Sequence, residues 1–532
     1  MSTLIKLLDS RLRHHGTPVI YADERWWSRD EMNVDLGKTR KVLRLLGVKP
    51  GDRVLLVAPN SYAFTVLYLG LLSFGAVVVP VSPASPDREV LRVVRQSGAK
   101  AALLHTSVLS ASMHQWAQWA RVQCVAAVQE FPQDGRLLWS FTQLGAENTI
   151  VGEGSAESQD PTIESDGEVT QPDDMPWDDS PGVLMYTSGT TGEPKGVILS
   201  HGQLLAAVRQ VVGSHHLHRA DTGYCVLPLS HINAQVVVLL SSLVSGGRVV
   251  MAEKFSASQF WPTIEKHRVT WVSTVPAILE ILLRREDVGP TDFSSLRFIR
   301  SASAPLFRWQ QKEFERRFGV PVIQSYGMTE AGSQICVNPL PPEIRKPGSV
   351  GKPVGVKLRI VESSGREVRT GIVGEVAIRG DSVIQAYEGD PSARSFRDGW
   401  FYTGDLGYKD EDGYVYITGR NKEMINRAGE KIGPQEVEEV LQLHPGVRHV
   451  AVLGLPDALY GERVVAYVVT LHLSQGVKTS LEEQLRTLCR NSLAVHKCPV
   501  EYHFVRNIPL GPTGKVQRQR LRQQVLAIAE GL

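Results

Sequence analysis

The chain has 532 residues, 42% of them hydrophobic and 21% charged, with a formal net charge of +2. That length exceeds what one core ordinarily serves and predicts two or more domains. The near-balanced charge excludes a global field drawing the molecule to nucleic acid or an anionic membrane surface. Cys124, Cys225, Cys336, Cys489 and Cys498 are scattered, with no CxxC pair and no metal spacing, which reads as reduced thiols of a cytoplasmic protein. Met1 to His15 has charges throughout and no continuous apolar stretch, so no signal peptide is read there. The longest apolar run, near Val236 to Leu243, is too short to span a bilayer and reads as a buried helix, so no membrane insertion is expected. The C-terminal Glu-Gly-Leu matches no peroxisomal tripeptide.

Buried-strand patterns alternate with helical ones along the first two thirds of the chain. Strands are expected at Arg53–Ala58, Ala76–Val81, Gly182–Tyr186, Arg248–Ala252, Val269–Val275 and Val320–Gln324. Helices are expected at Asp30–Leu46, Tyr62–Phe74, His201–Val212, Ala257–His267 and Trp309–Phe318. This alternation predicts an α/β fold of layered, largely parallel sheets. Between Leu137 and Pro194 there is no Lys or Arg, and Gly152–Ser180 is acidic with several Ser, Gly and Pro, which predicts an exposed connector. From Gly374 the texture shifts to short strands and turns at Glu375–Arg379, Trp400–Thr403 and Tyr414–Thr418. Beyond Gly419 a smaller α+β unit of about a hundred residues is expected. Pro434 opens its first helix, with an apolar stripe of Val437, Val440 and Leu441. Strands His449–Leu453 and Val464–Leu471 and a helix Leu481–Leu493 follow.

Tyr186–Val197 carries the strongest chemical signal. Thr187, Ser188, Gly189, Thr190, Thr191 and Gly192 are followed by Lys195 and Gly196. Small residues let backbone N–H groups converge on an anion, hydroxyls add donors, and the lysine adds charge, so the segment should grip a polyphosphate. Its order is not that of the ATPase P-loop, because Glu193 and Pro194 stand before the lysine and Gly196 after it. Further on, Ser325-Tyr326-Gly327-Met328-Thr329-Glu330 follows a predicted strand, the place where parallel α/β sheets bind ligands. Its aromatic face can stack on a base and its carboxylate can hold Mg²⁺. Tyr402-Thr403-Gly404-Asp405 sets one carboxylate in a tight turn, suited to a ribose diol. Gly419-Arg420-Asn421-Lys422 and Arg427-Ala428-Gly429 mark the domain junction, and Pro512-Thr513-Gly514-Lys515 ends in a lysine near the C-terminus.

Taken in this order and spacing, the motifs resemble those of the adenylate-forming superfamily of acyl-CoA synthetases, peptide-synthetase adenylation domains and luciferases, with matches from Thr187 to Lys515. The resemblance implies a large N-terminal domain, residues 1–419, binding ATP and the acid, and a small mobile C-terminal domain, residues 420–532. It implies activation of a small carboxylic acid to an acyl-adenylate, then transfer to the thiol of CoA. ATP, Mg²⁺ and CoA are the implied co-substrates and metal; an acyl carrier protein is the alternative acceptor. By family position Lys515, Glu330, Thr329 and Lys195 are catalytic, with Glu330 on the metal. The phosphate-loop residues with Ser303, Ala304, Tyr326, Thr329, Asp405, Arg420 and Lys515 are implied ATP contacts. Lys422 is the implied hinge, and Ala428 and Gly429 approach the pantetheine. A remote alternative is luciferase-like oxidation, and a non-catalytic ATP-binding regulator is disfavoured by the complete set of charged positions.

The acid is read from Leu227-Pro228-Leu229-Ser230-His231, which offers no carboxylate for an α-amino group. Phe298-Ile299-Arg300-Ser301-Ala302-Ser303-Ala304 and Ile425-Asn426-Arg427 are similar to oxalyl-CoA synthetases. That likeness assigns His231, Ser301 or Ser303, and Gly327 to the acyl pocket. It expects a second histidine where Ser333 stands. Without that group for a distal carboxylate, a neutral short or medium acyl acid, or an aryl acid, is expected.

Overall fold

The computed structural model describes residues 2–12, 16–108, 124–131, 136–144, 150–156, 176–187, 195–285, 292–390, 394–470, 475–511 and 516–529. Among these the strands form four sheets. The first has nine strands, and its central six run parallel: Val322–Tyr326, Phe298–Ser301, Trp271–Thr274, Thr222–Cys225, Arg248–Met251 and Pro18–Ala22. The second has eight strands, with Arg53–Val57, Val77–Val81 and Ala101–His105 parallel at its centre and the hairpin Pro181–Thr187/Lys195–Ser200 at one edge. The expected strands and helices are found in place, most within two or three residues of their expected ends.

Two helical segments fill the space between the sheets. Tyr62–Phe74 is buried at every position and touches strands of both sheets. A helix apolar all round has no solvent face to present, so its sequence demands this layer. The apolar run near Val236 is the expected buried helix; Asn233–Leu240 is π-helical and Ser241–Val244 α-helical. Asn233, at the first π-helical position, bonds Ser273, Arg300 and Ser303; π-helical segments recur at functional sites. A capping box at Ser200 and Gln203 starts the helix His201–Ser214, which packs against the π-helical segment.

The acidic connector expected over Gly152–Ser180 is in part a strand. Ile150–Ala156 pairs antiparallel with Arg136–Leu144 at the sheet edge. An edge strand needs only backbone pairing, so its composition showed no alternation to read. Residues 157–175 lie outside the described ones.

A third sheet is built on Gly374–Arg379 and Trp400–Lys409, with Val415–Arg420 paired to the latter. The fourth begins at Ile425 and centres on the hairpin Val447–Asp457/Gly461–Thr470. Helix Pro434–Leu441 covers it through Val437 and Leu441, both fully buried. Arg518 is nearly buried and joins Glu438 of that helix at 2.5 Å and Glu423 at 2.8 Å. Among the described residues no helix is long and apolar enough to cross a membrane.

Two buried histidines set an acid limit on this fold. Burial pulls His201 from 6.5 down to about 4. Burial, with Arg300 nearby, pulls His215 down to about 3, and its Nδ1–H donates to the Val211 carbonyl at 3.1 Å. The unfolded chain takes up both protons below pH 6.5 while the fold still refuses them. Stability is therefore full above about pH 6.5 and is lost as pH falls toward 4. The unfolding free energy from urea titration should drop between pH 7 and pH 5, by roughly 2 kcal/mol for each imidazole. His215→Phe should flatten part of that dependence.

Candidate active site

The site lies where the loops leave the carboxyl ends of neighbouring parallel strands, as open α/β sheets require. Leu227 to Asn233 follows Thr222–Cys225, Ala302 and Ser303 follow Phe298–Ser301, and Gly327 to Glu330 follows Val322–Tyr326. All three segments line one cavity of about 850 Å³, together with Thr187, Lys195, Ser333 and Lys422. An adjoining cavity of about 1120 Å³ shares Ser303, Gly327 and Arg420 with it. Ala304, Tyr326 and Asp405 line that second space, as do Lys431 and Glu436 of the C-terminal unit.

Thr187 and Lys195 are direct partners across the edge hairpin, which brings the two ends of the phosphate loop together. Ser188, Gly189, Thr190, Thr191 and Gly192 lie outside the described residues, as does Lys515. The Lys195 ammonium sits 4.5 Å from the centre of the Tyr387 ring. The Tyr387 hydroxyl in turn donates to Glu330 Oε1 at 2.9 Å. A cation, an aromatic face and a carboxylate thus stand in one row. Glu330 is nearly buried, and burial raises its pKa, opposed by the Tyr387 bond and the charge of Arg420. Thr329 precedes it in the same single turn of 3₁₀ helix. Tyr387 was not singled out in the sequence: Ala-Tyr-Glu-Gly-Asp matches no pattern, and only the return of the chain beneath Glu330 gives it a place.

The Tyr326 hydroxyl donates to Asp405 Oδ2 at 2.5 Å, and Arg420 Nε donates to Oδ1 at 3.0 Å. Each carboxylate oxygen keeps a further lone pair for a ligand.

His231, Ser303, Gly327 and Ser333, expected at the acyl pocket, line one cavity together with Asn233. Burial lowers the pKa of His231, so its imidazole is neutral at neutral pH. Of the two candidate serines, only Ser303 faces the cavities. Ser301 ends a strand inside the sheet, fully buried, and its hydroxyl finds no partner among the described residues. Ser303 holds φ +70 and Ser333 φ +97, left-handed conformations that cost a non-glycine residue on the order of 1–2 kcal/mol. Ala428 holds φ +52, and Ala428 and Gly429 line neither cavity.

The loop after Tyr326 doubles back on itself: Ser333 N–H donates to the Met328 carbonyl at 3.0 Å, and Ile335 N–H to that of Tyr326 at 2.8 Å. A Cβ on Gly327 would lie 1.5 Å from the Ser333 carbonyl oxygen. Backbone cannot yield there as a side-chain tip can. Gly327→Ala should therefore lower the unfolding free energy from urea titration by about 1–3 kcal/mol, and displace the segment that carries Glu330.

Known proteins place this architecture. A model of the AMP-binding enzymes matches residues 9–388, and one of the AMP-binding enzyme C-terminal domain matches residues 436–515. The chain is 36% identical to a sulfoacetate–CoA ligase of Cupriavidus necator over 92% of its length and 90% of that protein. It is 37% identical to an oxalate–CoA ligase of Arabidopsis thaliana over 90% of each chain. ATP-bound MatB from Rhodopseudomonas palustris superposes with a TM-score of 0.84 at 27% identity, covering 98% of this chain and 99% of that one. With both halves of the fold and nearly the whole length accounted for, the chain belongs to the adenylate-forming superfamily of AMP-binding enzymes.

Proposed function

We propose that the cleft joins a small carboxylic acid to CoA through an acyl-adenylate, with Lys195, Glu330, Asp405 and the tail lysine Lys515 in the roles their motif positions imply. The activity is that of an AMP-forming acid–CoA ligase. The observation that carries the residue assignment is the row Lys195–Tyr387–Glu330 on one wall of the cavity that also holds His231 and Ser303. It sets a phosphate-binding cation and a metal-binding carboxylate within one cavity beside an acid pocket.

A carboxylate is a poor acyl donor because hydroxide would have to leave. Its attack on the α-phosphate of ATP releases pyrophosphate and leaves an acyl-adenylate, from which AMP departs readily. Positive charge has to bridge the incoming oxygen and the phosphoryl oxygens, and Lys195 and Lys515 supply it. Glu330 fits Mg²⁺: one oxygen is held by Tyr387, and among the described residues no three-carboxylate or histidine cluster competes for a metal. Mg²⁺ ordinarily takes one or two protein carboxylates and completes its shell with phosphates and water, neutralising charge on the pyrophosphate side. The Tyr326 ring and Asp405, the latter anchored by Arg420, are placed for adenine and ribose.

Two ion pairs support the domain division. Arg420 is held to Asp405 of the large domain, while Glu423 is held to Arg518 of the small one. They support a division near residue 420, between 1–419 and 420–532, with Lys422 in the 3₁₀ turn Asn421–Glu423 as the hinge. A rotation there would bring Gly429, now outside both cavities, toward the thiol entry.

Carboxylate-dependent ATP–pyrophosphate exchange over oxalate, malonate, fatty, aryl and amino acids tests the adenylation step; AMP release with CoA against a phosphopantetheinylated carrier tests the acceptor. No exchange with any acid would overturn the reading. Lys515→Ala should cut exchange by roughly 10²–10³-fold, about 3–4 kcal/mol. Lys422→Pro should spare exchange more than thioester formation; equal loss of both would argue against the hinge.

A further inference from the structure

Arg300 is fully buried in the strand Phe298–Ser301. Among the described residues no carboxylate pairs with it. Its Nη2 donates to Ser325 Oγ at 2.9 Å, and its Nη1 to Ser273 Oγ at 3.2 Å and Asn233 Oδ1 at 3.4 Å; Nε has no partner. Burial lowers it to about 9, so it stays protonated at neutral pH. Buried charges are ordinarily paired. Here hydroxyls and one amide do that duty, and the cation keeps its full unit of charge beside the acyl end.

The direction of the network is forced. A guanidinium only donates, so the atom of Asn233 that faces it is the oxygen. Ser273 Oγ donates to that same oxygen at 3.1 Å. The amide NH₂ is thereby turned away from Arg300, and it donates to Ser303 Oγ at 3.3 Å. Asn233 and Ser303 both line the cavity, next to His231 and Ser333. Lys195, Arg394, Arg397, Arg420 and Lys422 line the same cavity, but among the hydrogen-bond partners of Asn233 the cation is Arg300.

We propose that Arg300, acting through Asn233, makes the acyl pocket selective for short acids that carry a second anionic group, a carboxylate or sulfonate, which accepts from the Asn233 amide. The proposal rests on the acid–CoA ligase reading and reverses the expectation of a neutral acid drawn from Ser333. Arg300 is a positioning residue: it orients the amide and polarises it, and does not itself reach the cavity.

The test is ATP–pyrophosphate exchange by the full chain with oxalate, malonate and sulfoacetate against propanoate and benzoate. The wild type should prefer the doubly charged acids, and the malonate and sulfoacetate arms separate carboxylate from sulfonate. Arg300→Met should raise KM for these acids by roughly 10–100-fold, with kcat and the KM for ATP changed far less and the KM for propanoate not raised. Arg300→Lys should restore part of the preference. Should Arg300→Met fail to fold, Asn233→Leu removes the amide while leaving the cation, and the same loss of preference is expected. Loss of preference confined to these variants supports the proposal. Exchange with propanoate or benzoate but not with doubly charged acids overturns it alone, as does an equal loss for every acid in both variants. Exchange with no acid at all overturns it together with the ligase reading.

Discussion

One buried carboxylate ties the cleft together. Asp405 is 4% exposed and lies in the third sheet, yet its oxygens are held by Tyr326 from the parallel sheet and by Arg420 at the approach to the C-terminal unit. A carboxylate taken out of water has to be met by donors at close range or it is expelled as the neutral acid. Meeting that demand draws three separate parts of the chain to one point. The adjoining cavities share Arg420, so the same contact sets the geometry of both.

Around that anchor the buried charges are compensated unequally. Asp405 has a full counter-ion. Glu330 has a neutral hydroxyl from Tyr387 and a cation, Lys195, that stands on the far side of the same ring. Arg300 has hydroxyls and an amide oxygen. The fold thereby leaves Glu330 on the cavity wall without a direct counter-ion and Arg300 behind Asn233 without a carboxylate among the described residues. Both are arrangements that a bound ligand completes. Low polarisability of the surroundings makes each contact stronger than the same contact in water, and makes leaving it unmet costlier.

The C-terminal unit is organised by a different ion cluster. Arg518 holds Glu438 on the covering helix and Glu423 at the end of the hinge turn. Breaking one partner of such a pair leaves a bare buried charge, at a cost of about 3–5 kcal/mol. The cluster thus ties the covering helix to the 3₁₀ turn Asn421–Glu423. Ala428, strained in a left-handed conformation, stays exposed on that unit away from the cavities.

Local chemistry alone determined a good deal of this protein. The continuous apolar run of Tyr62–Phe74, Pro434 at the start of its helix, and the strand runs are properties of adjacent residues, so helix and strand limits were legible without a fold. The ordered motifs, from Thr187 through Glu330 and Asp405 to Arg420, were legible for the same reason: each functional group travels with its own turn. What tertiary structure decided was everything that depends on approach between distant segments. The sequence showed Ser301 and Ser303 as equals, and only the path of the strand buried one and exposed the other. It showed Val236–Leu243 as an apolar helix without its π-helical turn. Tyr387 carried no motif, and Arg300 stood as one letter of the stretch Phe298–Ala304 with no role of its own. Their significance arises from residues 57 and 67 positions away, at Glu330 and Asn233, because the cost of burying a charge is set by what surrounds it in space, and not by its neighbours along the chain.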